Sequence, residues 1–189
     1  VEPSHAEYPR FRKLMTGDVN AAINGAFQAG ADQITVTDGH AGGSNILLEE
    51  LDPRARMNQG NDSPFSMVQG IQDGADGVFF IGYHARAGSL NAVLDHTWSG
   101  RRIHNVWIND VLVGEYGINA ALCGYFNAPV IMMSGDQPAC KHASELLGPI
   151  EGAGVKKATG RKSAELLPPE TTRQMICEAA ARAVTRLRR

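Results

Sequence analysis

A chain of 189 residues with a formal charge of −2 has room for one ordinary core and gives no reason to expect nucleic acid, whose binding usually needs a basic face. Its apolar share of 43% and charged share of 20% are those of a globular protein, and no apolar run approaches the roughly 18 residues of a membrane helix. Three widely spaced cysteines, Cys123, Cys140 and Cys177, make neither a disulfide framework nor a zinc knuckle and suit a reducing cytoplasm.

Phe11, Leu14, Met15, Val19, Ala22, Ile23, Ala26 and Phe27 recur at spacings of three and four, which predicts a helix from near Arg10 to a stop at Gly30. The β-branched run Gln33–Thr37 predicts a strand ending in Asp38-Gly39-His40. A short helix around Ile46–Leu51, a weak strand at Ala55–Asn58 and a helix around Phe65–Ile71 follow. Val78–Ile81 reads as a buried strand that runs out into Gly-Tyr-His-Ala-Arg. Residues 85–102 read as a long loop carrying Arg86, Asp95, His96 and Trp98, and loops of that length are often functional. Ile103–Ile108 alternates like a strand, and Asn109-Asp110 turns it into Val111–Val113 as a hairpin. Glu115–Phe126 is a helix, and Pro129–Met133 a buried strand stopping at Ser134-Gly-Asp136. Asp136 is placed to cap the helix Gln137–Leu147. Gly152–Lys157 is a short strand, and Pro168 and Pro169 open a last helix, Glu170–Leu187. Alternating strands and helices predict one α/β domain over residues 1–189: a mainly parallel sheet, helices on both faces, and a short hairpin element.

In open parallel sheets ligands bind at the carboxyl ends of strands. Four polar segments compete for that edge: Asp38-Gly39-His40, Tyr83-His84-Ala-Arg86, Asp95-His96 and Gly114-Glu115. Two strand-end histidines and a glutamate opening a helix make a donor set for zinc or a similar first-row ion. Asp38 or Asp95 is available to hold the second ring nitrogen of a ligating histidine. The spacing lacks the fixed geometry of a His-Glu-x-x-His helix, so each histidine reads equally well as a hydrogen-bonded strand-end residue. Glu115 reads equally as an acid favoured at a helix N-terminus. His5, His104 and His142 read as structural or surface residues, and Cys123 and Cys177 as small core residues. The cluster Gly39-His-Ala-Gly-Gly43 lacks the pattern of a phosphate loop.

The segments TDGH (37–40), GYHARAG (82–88), DHTWS (95–99), INDVLVGEYGINA (108–120) and MSGD (133–136) resemble, in order and approximate spacing, the D-aminopeptidase family. MTGDVNAAINGAFQAGAD (15–32) and VKKATGRKSAELLPP (155–169) fit as well, so the resemblance runs over essentially the whole chain. These are zinc peptidases of dipeptide-utilisation operons. The resemblance implies removal of N-terminal D-amino acids from short peptides, with His40, His84 and Glu115 as metal ligands. It implies His96 as the catalytic residue, acting as general base or as nucleophile. Arg86 then either anchors a substrate carboxylate or pairs with an acidic neighbour at a subunit contact. Asn119, one turn after Glu115, either orients that ligand or bonds to backbone. The family's ring-stacked decamer with an internal chamber implies a homo-oligomer. Family members begin with a strand ending in Asp-x-Glu, which supplies two further ligands, and continue past the last helix seen here. Nothing before Met15 matches that first strand, so the expectation is a chain incomplete at both ends, holding two zinc ions per subunit only when the missing segment is present. Two other readings use the same residues: a metal-dependent amidohydrolase on another small amide, and an inactive assembly or binding subunit that kept the fold.

Overall fold

Pro9 lies in the first turn of α1 (Tyr8–Gln28), where its missing N–H leaves no helical bond unmade. The computed structural model describes residues 3–187. Helix α1 stops short of Gly30, which takes a positive φ of 92°. After it come β1 (Thr35–Thr37) and β2 (Arg56–Asn58), a parallel pair in which Val36 lies opposite Met57. Their apolar side chains pack with Ile23 of α1 and with Ile46 and Leu51 of the connection.

The two short helices expected here are single 3-10 turns, Leu48–Glu50 and Ser66–Val68. Leu47 and Leu51 are extended on either side of the first turn, so it has no room to propagate. Ser66 at φ 48° and Gly70 at φ 98° break the second.

The main sheet runs in the order β3 (Val78–Tyr83), β6 (Val130–Asp136), β7 (Glu151–Gly160), β8 (Ser163–Leu166). The first three strands are parallel, and β8 returns antiparallel on β7. The short strand expected at Gly152–Lys157 is longer at both ends, and β8 carries no strand signal in the sequence. Beyond Lys156 both strands are largely exposed, so no buried face imposes the apolar alternation that marks a strand.

Helices cover both faces. On one, α4 (Pro169–Leu187) and α1 bury Ile176, Ala179, Ala180 and Ala22 against Met132 and Ala153. The two helices meet closely at Gly25, where a Cβ would stand 2.1 Å from the Cys177 carbonyl oxygen. On the other face α2 (Glu115–Tyr125) and α3 (Gln137–Leu147) bury Tyr116, Cys123, Ala139 and Ala143 against Phe80 and Met133. Between β3 and α2 the chain makes the loop 84–105, without regular structure, and then the hairpin β4 (Val106–Ile108) and β5 (Val111–Val113). Asn109 and Asp110 at its tip have φ of 47° and 64°, the left-handed pair that a two-residue hairpin requires. Among the described residues no helix is long and apolar enough to cross a membrane.

Candidate metal centre

Strand β3 ends at Tyr83 and delivers His84 to the carboxyl edge of the sheet. The hairpin returns the chain to the same edge, where Glu115 opens α2 and is buried. The loop folds back over both and brings His96 in, its backbone N–H donating to the Ala85 carbonyl at 3.4 Å. The His84 and His96 rings stack with centroids 3.7 Å apart and planes 17° from parallel.

Main-chain carbonyls fix both rings. His84 Nδ1 lies 3.0 Å from the Ala85 carbonyl oxygen, and His96 Nδ1 lies 2.6 Å from that of Leu94. A carbonyl only accepts, so Nδ1 carries the proton in each ring and Nε2 is left with its lone pair. Both Nε2 atoms face Glu115 Oε1, at 3.4 Å from His84 and 3.6 Å from His96. The same carboxylate oxygen accepts from the Trp98 N–H at 2.7 Å. Donor atoms of these three residues lie within 4.8 Å of one another, the one such group among the described residues.

Burial opposes charging of His84, but the bond and charge of Glu115 and the Ala85 carbonyl outweigh it and hold its pKa above the ordinary imidazole value. Burial likewise pushes Glu115 up, yet His84, the Trp98 N–H and His96 together hold it below the usual carboxylate range. The centre is thus arranged for positive charge between two imidazoles and a carboxylate. Imidazole lone pairs and a carboxylate oxygen within reach of one point are donors that a first-row divalent cation takes, and an imidazole that the ion leaves unbound stands beside it as a base.

The three residues that meet differ from the trio implied by the family resemblance in one member: His96 is in the group and His40 is not. His40 lies on an exposed bend. Desolvation lowers its pKa, Asp38 offsets part of that, and His84 and His96 are close enough to lower it further. The bend is shaped by Asp38, whose buried carboxylate accepts from the backbone amides of Asn45, Ile46 and His40 and from the Asn45 side chain. Asp95 accepts from the Gly88 N–H at 2.8 Å and from Arg161 Nε at 2.7 Å. Neither aspartate therefore orients a ring of His84 or His96, and carbonyls do that work instead.

Arg86 lies against Gly114, where a Cβ would stand 2.7 Å from its own Cβ, and its Nη1 donates to the Ala87 carbonyl at 3.0 Å. Asn119 serves neither Glu115 nor backbone. Its Nδ2 donates to the Tyr83 hydroxyl at 2.9 Å and to Met67 Sδ at 3.2 Å. That hydroxyl is buried, and burial pushes its pKa up.

Sequence reasoning missed the groups that hold the loop. Asp136 does cap α3 through the Ala139 N–H at 3.0 Å, but its second oxygen also takes the Val93 N–H at 2.7 Å. Leu94 and Trp98, on either side of His96, sit at φ 52° and 57°, a conformation that costs an ordinary L-residue roughly 1–2 kcal/mol. Main-chain donors and acceptors leave no mark in the sequence, so nothing there points to them.

A family model described as D-aminopeptidase matches residues 1–189. The chain is 37% identical over 181 residues to a D-aminopeptidase of Bacillus subtilis (strain 168), a match covering 96% of this chain. It spans 65% of the length of that curated relative. A solved structure described as the Zn-dependent D-aminopeptidase DppA from Bacillus subtilis, a self-compartmentalizing protease, superposes with a TM-score of 0.94 at 36% identity. That match covers 98% of this chain and 67% of the other.

Proposed function

The chain belongs to the D-aminopeptidase family, and from that premise we propose that it acts as a zinc-dependent aminopeptidase releasing N-terminal D-amino acids from short peptides. The observation that carries this is the convergence of His84 Nε2, His96 Nε2 and Glu115 Oε1 on one point at the carboxyl edge of the sheet. His84 and Glu115 would hold the cation, with His40 as the further ligand that the resemblance implies. When bound, the ion supplies Lewis-acid charge at the scissile carbonyl and makes a water more acidic.

The protein's own groups do the rest. Glu115 keeps its charge because two imidazoles and the Trp98 N–H favour the ionised form. His96 is held by Leu94 with Nδ1 protonated, so Nε2 is free to take a proton from the attacking water and return it to the leaving amine. The new bond joins the water oxygen to the carbonyl carbon, and the C–N bond breaks.

The assembly described for the solved relative bears on this chain too. We take the active form to be a homo-oligomer, the decamer of the family, working in the cytoplasm on peptides small enough to enter it. The decisive experiment pairs elemental analysis of the purified protein with hydrolysis of matched D- and L-aminoacyl peptides and simple amides. Bound zinc and turnover of the D-peptides are expected. Turnover confined to non-peptide amides would transfer the site to another amidohydrolase reaction, and metal-free, inactive protein would remove the enzyme reading.

A further inference from the structure

We propose that Arg161, on the β7–β8 turn, is a positioning residue that holds His96 in its working orientation. The inference rests on the reading of His96 as the proton-transfer group. Arg161 never touches the centre; it grips the two residues before His96. Its Nε donates to Asp95 Oδ1 at 2.7 Å and its Nη2 to the Asp95 carbonyl at 2.8 Å. Its own carbonyl accepts the Leu94 N–H at 2.7 Å. The Leu94 carbonyl in turn carries His96 Nδ1 at 2.6 Å. A planar fork satisfying a side-chain oxygen and a main-chain oxygen of one residue fixes that residue's orientation as well as its place.

The backbone says why a grip is needed. Leu94 is held at φ 52°, where a residue with a Cβ does not stay unless its surroundings impose it. On one side, Asp136 ties down Val93. On the other, Arg161 ties down Leu94 and Asp95. Loss of the guanidinium frees Asp95 and leaves Leu94 held by the Arg161 main-chain carbonyl alone, so the strained Leu94–Asp95 link can relax and turn the Leu94 carbonyl away from the His96 ring. The Arg161 side chain is 56% exposed and Asp95 is 14% exposed, so removing the guanidinium disturbs the loop without opening the core.

The test compares Arg161→Ala, Arg161→Lys and, as a control on the same turn, Lys162→Ala in the metal-loaded protein. Arg161→Ala should lower kcat about 100-fold, the loss expected when a reacting group is misplaced by an ångström, while KM and metal content stay at parental values. Lysine keeps the charge but not the fork, so Arg161→Lys should fall as well, and added guanidinium below denaturing concentration should restore part of the activity of the alanine variant. Independently of activity, amide hydrogen exchange in residues 93–98 should quicken in both Arg161 variants and not in Lys162→Ala. A kcat within twofold of the parent in Arg161→Ala would overturn the proposal whatever exchange does. Unchanged exchange in that segment would overturn it too, as would loss of bound metal along with kcat. If exchange quickens but His96→Ala turns over normally, it is the role of His96 that fails, and the grip stands without its catalytic purpose.

Discussion

At the scale of single residues, the centre is built from side chains of ordinary chemistry held by main-chain groups. His84 and His96 present the same nitrogen to the same carboxylate oxygen, yet their proposed duties differ, and substitution separates them. His84 is the more enclosed ring, with 22% of its side chain exposed against 30% for His96, and Glu115 raises its pKa. His84→Ala is expected to lose bound zinc and turnover together. His96→Ala is expected to keep most of its zinc and lose turnover by two to four orders of magnitude, the usual reach of general acid–base catalysis. Zinc lost equally from both variants, by elemental analysis, would make His96 a ligand first. The residues themselves were legible in the sequence, because histidines and a glutamate at strand and helix ends announce their chemistry. Which three of them meet was not legible. That depends on carbonyls of Ala85 and Leu94, and on a left-handed backbone at Leu94 and Trp98, and neither has a side-chain signature.

At the scale of elements, α1, α4, β3, β6 and the cap on α3 follow from apolar spacing, proline and aspartate placement, and buried runs. The elements that escaped are those whose partners lie outside them. Strand β8 pairs through largely exposed residues, with no apolar alternation to mark it, and the two 3-10 turns carry helical spacing in a chain with no space for a helix. The α1–α4 contact holds a charge that its spacing hides. Asp18 of α1 lies 3.9 Å from Arg173 Nε of α4, and burial raises its pKa from 3.8 to about 6 although Arg173 and Lys156 pull it down. The folded form therefore binds the proton more tightly than the unfolded chain. The stability this brings is complete below about pH 4 and is lost as pH rises through about 6. Asp18→Asn has no proton to lose. Its melting temperature relative to the parent should rise steadily from pH 4 to pH 7, as measured by thermal unfolding at a series of pH values. A difference that stays flat over that range would mean that Asp18 titrates as it does in water.

At the scale of the whole molecule, the loop and the hairpin leave large apolar side chains uncovered in a single chain. Leu90 is 85% exposed, Trp107 58%, Trp98 50%, and Leu94 and Val111 46% each. Each strand of the hairpin has three residues, too few to stand alone in water, and of its apolar residues Val113 is the buried one. Exposed large apolar side chains close together in the chain, from Leu90 to Val111, suit a contact surface if they form one patch. Two of them, Leu94 and Trp98, adjoin the metal centre, since the Trp98 N–H donates to Glu115 and the Leu94 carbonyl carries His96. Assembly and catalysis would then share one loop, and a subunit by itself would hold that loop less firmly. Trp107→Glu tests this, because an exposed side chain contributes little to the fold of one subunit while a charge there opposes burial against another copy. The variant should unfold at close to the parental temperature when both are diluted to monomer. By light scattering after size exclusion it should be a smaller particle than the parent at equal concentration. Its turnover per subunit should drop with its mass. Parental mass in Trp107→Glu would remove the hairpin from the contact. Reduced mass with full turnover would show that one subunit holds the His96 loop unaided.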